Sequence, residues 1–99
     1  MSKTAVMVRE MGDDRPARQR LYRLSEPVKF RQWTDDAEEV KTADYVVASA
    51  VVAFGVPETY LFPADENGVV LDWLELEGSF RGDLDHERAI RNAGYEVTK

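Results

Sequence analysis

Ten residues near the middle of the chain, Tyr45–Phe54 (YVVASAVVAF), carry no charge and contain four valines. Valine is stiff at its first side-chain torsion and packs well on a pleated surface, so the run reads as a strand. It is far too short to span a membrane. Both of its faces are apolar, which implies a central strand covered on each side, or one covered by a partner subunit. Gly55-Val56-Pro57 ends it. Glu58–Ala64 follows as a second strand, in which Pro63 belongs at an edge, a bulge or the strand's end because it cannot donate to a ladder. Asp65-Glu66-Asn67-Gly68 contains Asn-Gly, the strongest short hairpin signal in the chain. Val69–Leu76 reads as the return strand, so 45–76 reads as an antiparallel meander of three strands.

The first third gives shorter strands. Thr4–Met11 alternates Val6 and Val8 against Ala5 and Met7. Gly12-Asp13-Asp14-Arg15-Pro16 reads as a turn or loop. Gln19–Leu24 sets Leu21 and Arg23 opposite Tyr22 and Leu24. Ser25-Glu26-Pro27 breaks the pattern. Val28–Trp33 then places Val28, Phe30 and Gln32 opposite Lys29, Arg31 and Trp33. These first strands suit a hairpin. Thr34–Thr42 (TDDAEEVKT) is polar and reads as a loop or one helical turn capped by Thr34 or Asp35.

Near the C-terminus Gly78–Gly82 reads as a connection and Asp83 as a helix N-cap, with Asp85 and Glu87 in the first turn. His86, Ala89, Ile90 and Ala93 fall on one helical face. Glu87 and Arg91 are spaced for an ion pair, and Gly94 suits the position just past the helix end. Tyr95–Thr98 reads as a short last strand or a docked tail. The expected fold is therefore α+β: N-terminal strands and the 45–76 meander form an antiparallel sheet, and one short C-terminal helix packs on it. Ninety-nine residues suit a single domain spanning 1–99.

Charge is divided by position. Residues 1–33 carry eight Lys/Arg against four Asp/Glu, whereas 34–80 carry Lys41 alone against eleven carboxylates. The net charge of −6 opposes bulk affinity for nucleic acid, with the basic first third as the reservation. The chain has no cysteine, which excludes disulfides, thiolate metal sites and a cysteine nucleophile. No signal-peptide pattern is visible, so a soluble, cytoplasmic protein without membrane attachment is expected.

Several candidate sites follow. Arg15, Arg18, Arg20, Arg23, Lys29 and Arg31 interleave with Tyr22, Phe30 and Trp33, a composition that can hold single-stranded nucleic acid by phosphate contact and stacking. Arg18, Arg20, Arg23, Arg31 and Trp33 are the binding candidates. The competing reading pairs these arginines with the acidic 58–77 region, and it is favoured because the chain holds its own excess of counter-charge. His86 is the sole histidine, flanked by Asp85 and Glu87, with Asp83 at i−3. Neighbouring helical residues point in different directions, so this is no preformed dyad, and a half-buried, hydrogen-bonded histidine is the better reading. Acidic clusters at 35–39 and 65–67 lack calcium-loop spacing. No phosphate-binding glycine loop or nucleophile elbow is present, and no cofactor, catalytic residue or metal site is expected.

The strings FGVPETYLFPADENG, LELEGSFRG and DHERAIRNAGYEV resemble small proteins encoded by bacteriophages of actinobacteria, and the basic start VREMGDDRPARQRLYRL fits the same group. The likeness covers over half the chain. It implies an accessory product without an assigned reaction, made inside an infected bacterium, and carries no catalytic residue across. The leading expectation is a non-enzymatic protein that binds a host or phage protein and forms a homodimer through its apolar strand. Alternatives are nucleic-acid binding through 15–31, a small enzyme or metal protein around His86, and nucleic-acid mimicry by the acidic 58–77 surface.

Overall fold

The computed structural model describes residues 3–11, 18–33, 35 and 37–98, with the side chains of Arg18 and Ala53 outside the described set. The expected 12–16 loop, with Arg15, lies outside it too. In chain order the elements are β1 (Lys3–Met11), β2 (Arg18–Trp33), β3 (Glu38–Ala53), β4 (Val56–Ala64), β5 (Phe80–Arg81), α1 (His86–Asn92) and β6 (Tyr95–Thr98). They form one sheet in the order β5-β4-β3-β2-β1-β6 with the helix packed on it, an α+β fold.

The centre of β3 is buried on both faces by its own chain. One face joins Ala5, Tyr22, Leu24, Val46, Ala48 and Leu61 to Ala89 and Ile90 of α1. The other joins Leu21, Val47 and Ala64, covered by Met11, Tyr45 and Val70. Each such large aliphatic side chain contributes about 1.5–3 kcal/mol by leaving water. The two-sided apolarity of Val46–Ala50 thus finds both covers within one chain, whereas Val52 and Phe54 at the end of the run are exposed.

Several expectations are corrected. Gln19–Leu24 and Val28–Trp33 are one strand, β2, because Ser25-Glu26-Pro27 does not break it. Arg23 pairs with Tyr45 and Val28 with Ala43, so β2 carries three more residues than β3 across this irregularity. The surplus is put to use: Ser25 Oγ accepts from Thr4 N at 2.8 Å, and Glu26 O accepts from the Tyr95 hydroxyl at 2.9 Å. Within Thr34–Thr42, residues Glu38–Thr42 are neither loop nor helix but the start of β3. β6 runs parallel to β1, Lys3 opposite Tyr95, so the sheet is mixed and not wholly antiparallel. A register shift between Met7 and Arg9 makes Val8 surplus and re-faces the rest of β1.

The 45–76 meander holds for its first two strands only. Phe54 (φ 52) and Gly55 (φ 78) make the two-residue turn between β3 and β4, the twist that tight hairpins prefer. At 65–68, Gly68 N donates to Asp65 O and Asp65 N to Val69 O, both at 3.0 Å, while Asp65 Oδ1 accepts from Asn67 N and Val69 N. Gly68 at φ 84 closes this three-residue loop, and a Cβ there would strike the Met11 thioether. Beyond Val70, which bridges to Ala64, no ladder forms: Leu71 N reaches Pro63 O, and Leu76 N reaches Leu61 O.

These contacts close the outer edge of β4. Pro57 O and Pro63 O accept from Gly82 N and Leu71 N on the side away from β3. A strand residue's N–H and C=O point the same way, so the donors both prolines lack would have faced this edge. Leu61 N donates to Ser79 Oγ at 2.9 Å, which occupies a further edge position.

The helix keeps its expected inner face, with His86, Ala89 and Ile90 buried, and the Glu87–Arg91 pair spans 3.7 Å. Its N-cap is Asp85, accepting from Arg88 N, and not Asp83. Asp83 is engaged otherwise: its Oδ1 accepts from Leu84 N, and its carbonyl accepts from Thr59 Oγ1. Thr59, fully buried, accepts in turn from Asp85 N, so the strand sets the start of the helix.

Candidate functional site

β1 accompanies β2 only as far as Leu24, and β4 accompanies β3 only as far as Tyr45. Beyond those points Val28–Trp33 and Glu38–Ala43 pair with each other alone and form a two-stranded arm. Phe30 and Ala43 root it in the main apolar cluster. Alternation puts Lys29, Arg31 and Trp33 on the arm's other face, opposite Thr42, Val40 and Glu38. Trp33 is 77% exposed and Val40 63%. Arg31 Nε lies 3.0 Å from Glu38 Oε1. That ion pair is solvent-exposed and adds little stability. Tryptophan, arginine and a β-branched residue on one protruding face form the most open apolar–cationic surface of the fold.

The remaining binding candidates are dispersed. Arg18 heads β2 opposite Ala50, with its side chain outside the described set. Arg20 alternates with Tyr22 on the helix side of the sheet, whereas Arg23 faces the opposite side with Leu21. Arg31 and Trp33 alone are brought together, out on the arm. The expected pairing of these arginines with the acidic 58–77 region does not form among the described residues; their ion-pair partners lie elsewhere. Arg20 Nε lies 3.3 Å from Glu10 Oε1 on the adjacent strand, and Arg31 pairs with Glu38. The contact that does cross is made by Arg9, whose Nη2 donates to Asn67 O at 2.6 Å. The basic and acidic stretches therefore meet along β2–β3 and at the 65–68 turn.

A second feature lies where β6 ends. Met7, Arg20, Tyr22, Glu87, Val97 and Thr98 line an open cleft of about 300 Å³. The Tyr22 hydroxyl hydrogen-bonds the Arg20 guanidinium and raises its pKa, with Glu10 and Glu87 adding to that direction. Burial raises the Tyr22 pKa in turn, against the opposing pull of Arg20. Arg20 Nε is out of solvent and makes no aligned hydrogen bond among the described residues, despite its proximity to Glu10. One cation flanked by two carboxylates and a neutral phenol offers no net positive field for an anion. The arrangement serves to hold β1, β2 and α1 together.

His86 is buried on the inner side of α1, while Asp83 and Asp85 accept from backbone N–H groups. Asp65 likewise spends its carboxylate on the turn it begins. Among the described residues no group of three or more His, Asp or Glu is placed to hold a metal ion, and no helix is long and apolar enough to cross a membrane. Sequence reasoning missed Glu38 and Val40 as strand residues by reading 34–42 as a loop or one helical turn. The signal was present in the alternation of Glu38, Val40 and Thr42 against Glu39 and Lys41.

Compared with protein-family models, curated proteins and solved structures, the chain matches none of them.

Proposed function

We propose that this protein acts by binding another protein, without catalysis, through the Lys29–Arg31–Trp33–Val40 face of its arm. The supporting observation is Trp33, 77% exposed on the same face as the ion-paired Arg31, on an element that projects past its neighbouring strands. Tryptophan and arginine are enriched among the few residues that dominate the energetics of protein interfaces. The resemblance to actinobacteriophage products makes the partner a host or phage protein and the setting the cytoplasm of an infected bacterium. The test is an affinity capture from host lysate followed by titration of the captured protein. Trp33→Ala should weaken binding at least tenfold at unchanged melting temperature. Equal affinity of wild type and Trp33→Ala would overturn the proposal.

A second reading places single-stranded nucleic acid on the same face, favoured by Lys29, Arg31 and Trp33 in one row. Glu38 opposite Trp33 and the net charge of −6 oppose it. Binding of an oligonucleotide that falls steeply with salt and is lost in Arg31→Ala would support it.

A further inference from the structure

We propose that the open outer edge of β3, residues Glu38–Thr42, pairs with the same edge of a second copy of this chain, antiparallel about a two-fold axis at Val40. This inference concerns the edge of the arm and shares only Val40 with the face assigned above.

The edges of this sheet are not alike. The edge of β4 is closed by Pro57, Pro63 and Ser79. The outer side of β2 at the root of the arm is closed by Pro27 and by the engaged groups of Ser25 and Glu26. β3 from Glu38 to Thr42 has β2 on one side and, among the described residues, no strand on the other, with an unbroken register, no proline and no bulge. All five residues are exposed. An unblocked edge strand is a template for another strand.

Its sequence specifies which strand. A two-fold axis normal to the sheet keeps every side chain on its own face, so a residue can oppose only residues of its own parity. Centred on Val40, the pairing sets Glu39 opposite the partner's Lys41, Lys41 opposite the partner's Glu39, Glu38 opposite Thr42, and valine against valine. No like charges meet. Centring on Glu39 or Lys41 sets two identical charges on the axis. The neighbouring edge of the arm, Val28–Trp33, holds no acidic residue, so none of its registers sets opposite charges across from each other, and centring on Lys29, Phe30 or Arg31 brings like charges together. Opposite charges across strands stabilise and like charges destabilise, so of these two segments the Val40-centred register alone gains opposite-charge pairs. Lys41 Nζ already lies 3.9 Å from Glu39 Oε2 along the strand, so the pairing completes an alternating row of four charges. Val40 passes from exposed to covered, and the sheet continues from one copy into the other.

The absence of cysteine makes the register directly readable. In Val40→Cys the axis places the two thiols opposite each other, with Cα atoms about 4.5 or 5.5 Å apart according to the pair type, within disulfide range. Copper-phenanthroline oxidation should give a covalent dimer. In Thr42→Cys the two sulfurs stand four residues apart along the strands, about 13 Å, and should not link. Sedimentation of the wild type should give twice the chain mass. Lys41→Glu should give the single-chain mass, and the swap Glu39→Lys/Lys41→Glu should restore the double mass. Circular dichroism shows that each variant is folded. A wild type that stays single at millimolar concentration would overturn the proposal. So would a dimer whose mass survives Lys41→Glu, or a Val40→Cys protein that links no faster than Thr42→Cys. Single-chain mass together with Trp33-dependent capture would sink this edge and leave the proposed function standing.

Discussion

One strand of this protein lives in two environments. From Tyr45 to Ala50 β3 is flanked by β2 and β4, and Val46–Ala50 are buried. From Glu38 to Thr42 it is flanked by β2 alone, and every residue is exposed. The inner part reads YVVASAVVA and the outer part EEVKTAD. The backbone conformation is the same, so the difference lies in what each half offers its surroundings. The inner half supplies cohesion, and the outer half leaves charged and β-branched side chains open to water. Charges placed beside an open edge keep it from indiscriminate pairing while leaving a defined match available.

The sharpest way to break this contrast is to truncate side chains on either side of it. Leu61, opposite Ala48 and 1% exposed, should cost about 3 kcal/mol as Leu61→Ala, read by urea unfolding. Equal losses for Leu61→Ala and for a surface residue such as Val40→Ala would erase the distinction.

Alkali should also act on the inner region. Burial raises the pKa of both Tyr22 and Tyr95, so each is held neutral in the folded state beyond the ordinary tyrosine value. Their contribution is therefore fully present below about pH 10 and is lost as pH climbs through the raised values. Thermal midpoints measured upward from pH 8 should fall above pH 10, and less so in Tyr22→Phe. An identical fall in that variant would assign the loss elsewhere.

Asp85→Ala removes the acceptor for Arg88 N and should cost about 1 kcal/mol, whereas Asp83→Ala should cost less because Asp83 does not cap the helix. Phe54 has no such compensation: its backbone sits at φ 52 and its side chain is fully exposed. Phe54→Asn should gain about 0.5 kcal/mol, since asparagine tolerates this conformation. Smallest of all, Val40→Ala should stay within about 0.5 kcal/mol in dilute solution.

How far the fold is legible in the sequence follows the same division. Within Tyr45–Phe54, the buried stretch Val46–Ala50 reads as a central strand because burial on both faces leaves small and mostly apolar choices. The face of α1 reads correctly because Ala89 and Ile90 repeat at helical spacing beneath His86. Exposure on the arm removes that pressure, and EEVKT carries only a weak alternation to betray its strand. Ser25-Glu26-Pro27 looks like a break because proline forbids a ladder bond, yet at an edge none is required. Two aspartates suit the N-cap equally well as residue types, and the buried Thr59 hydroxyl, distant in sequence, decides between them. Parallel pairing of β6 leaves no local trace, since strand direction is set by where α1 delivers the chain. Of the candidate site, Arg31 and Trp33 are legible as alternating neighbours; the scattering of Arg18, Arg20 and Arg23 follows from β2 having two sides.

Lys3 lies beside Tyr95 across nearly the whole length of the chain. During synthesis the outer flank of β1 therefore waits for Tyr95–Thr98 to emerge before it gains its neighbour, so this seam is the last to close. Contacts between residues so far apart are slow to form. A ribosome-bound nascent protein should accordingly expose that flank to chaperones after the central hairpin has already set.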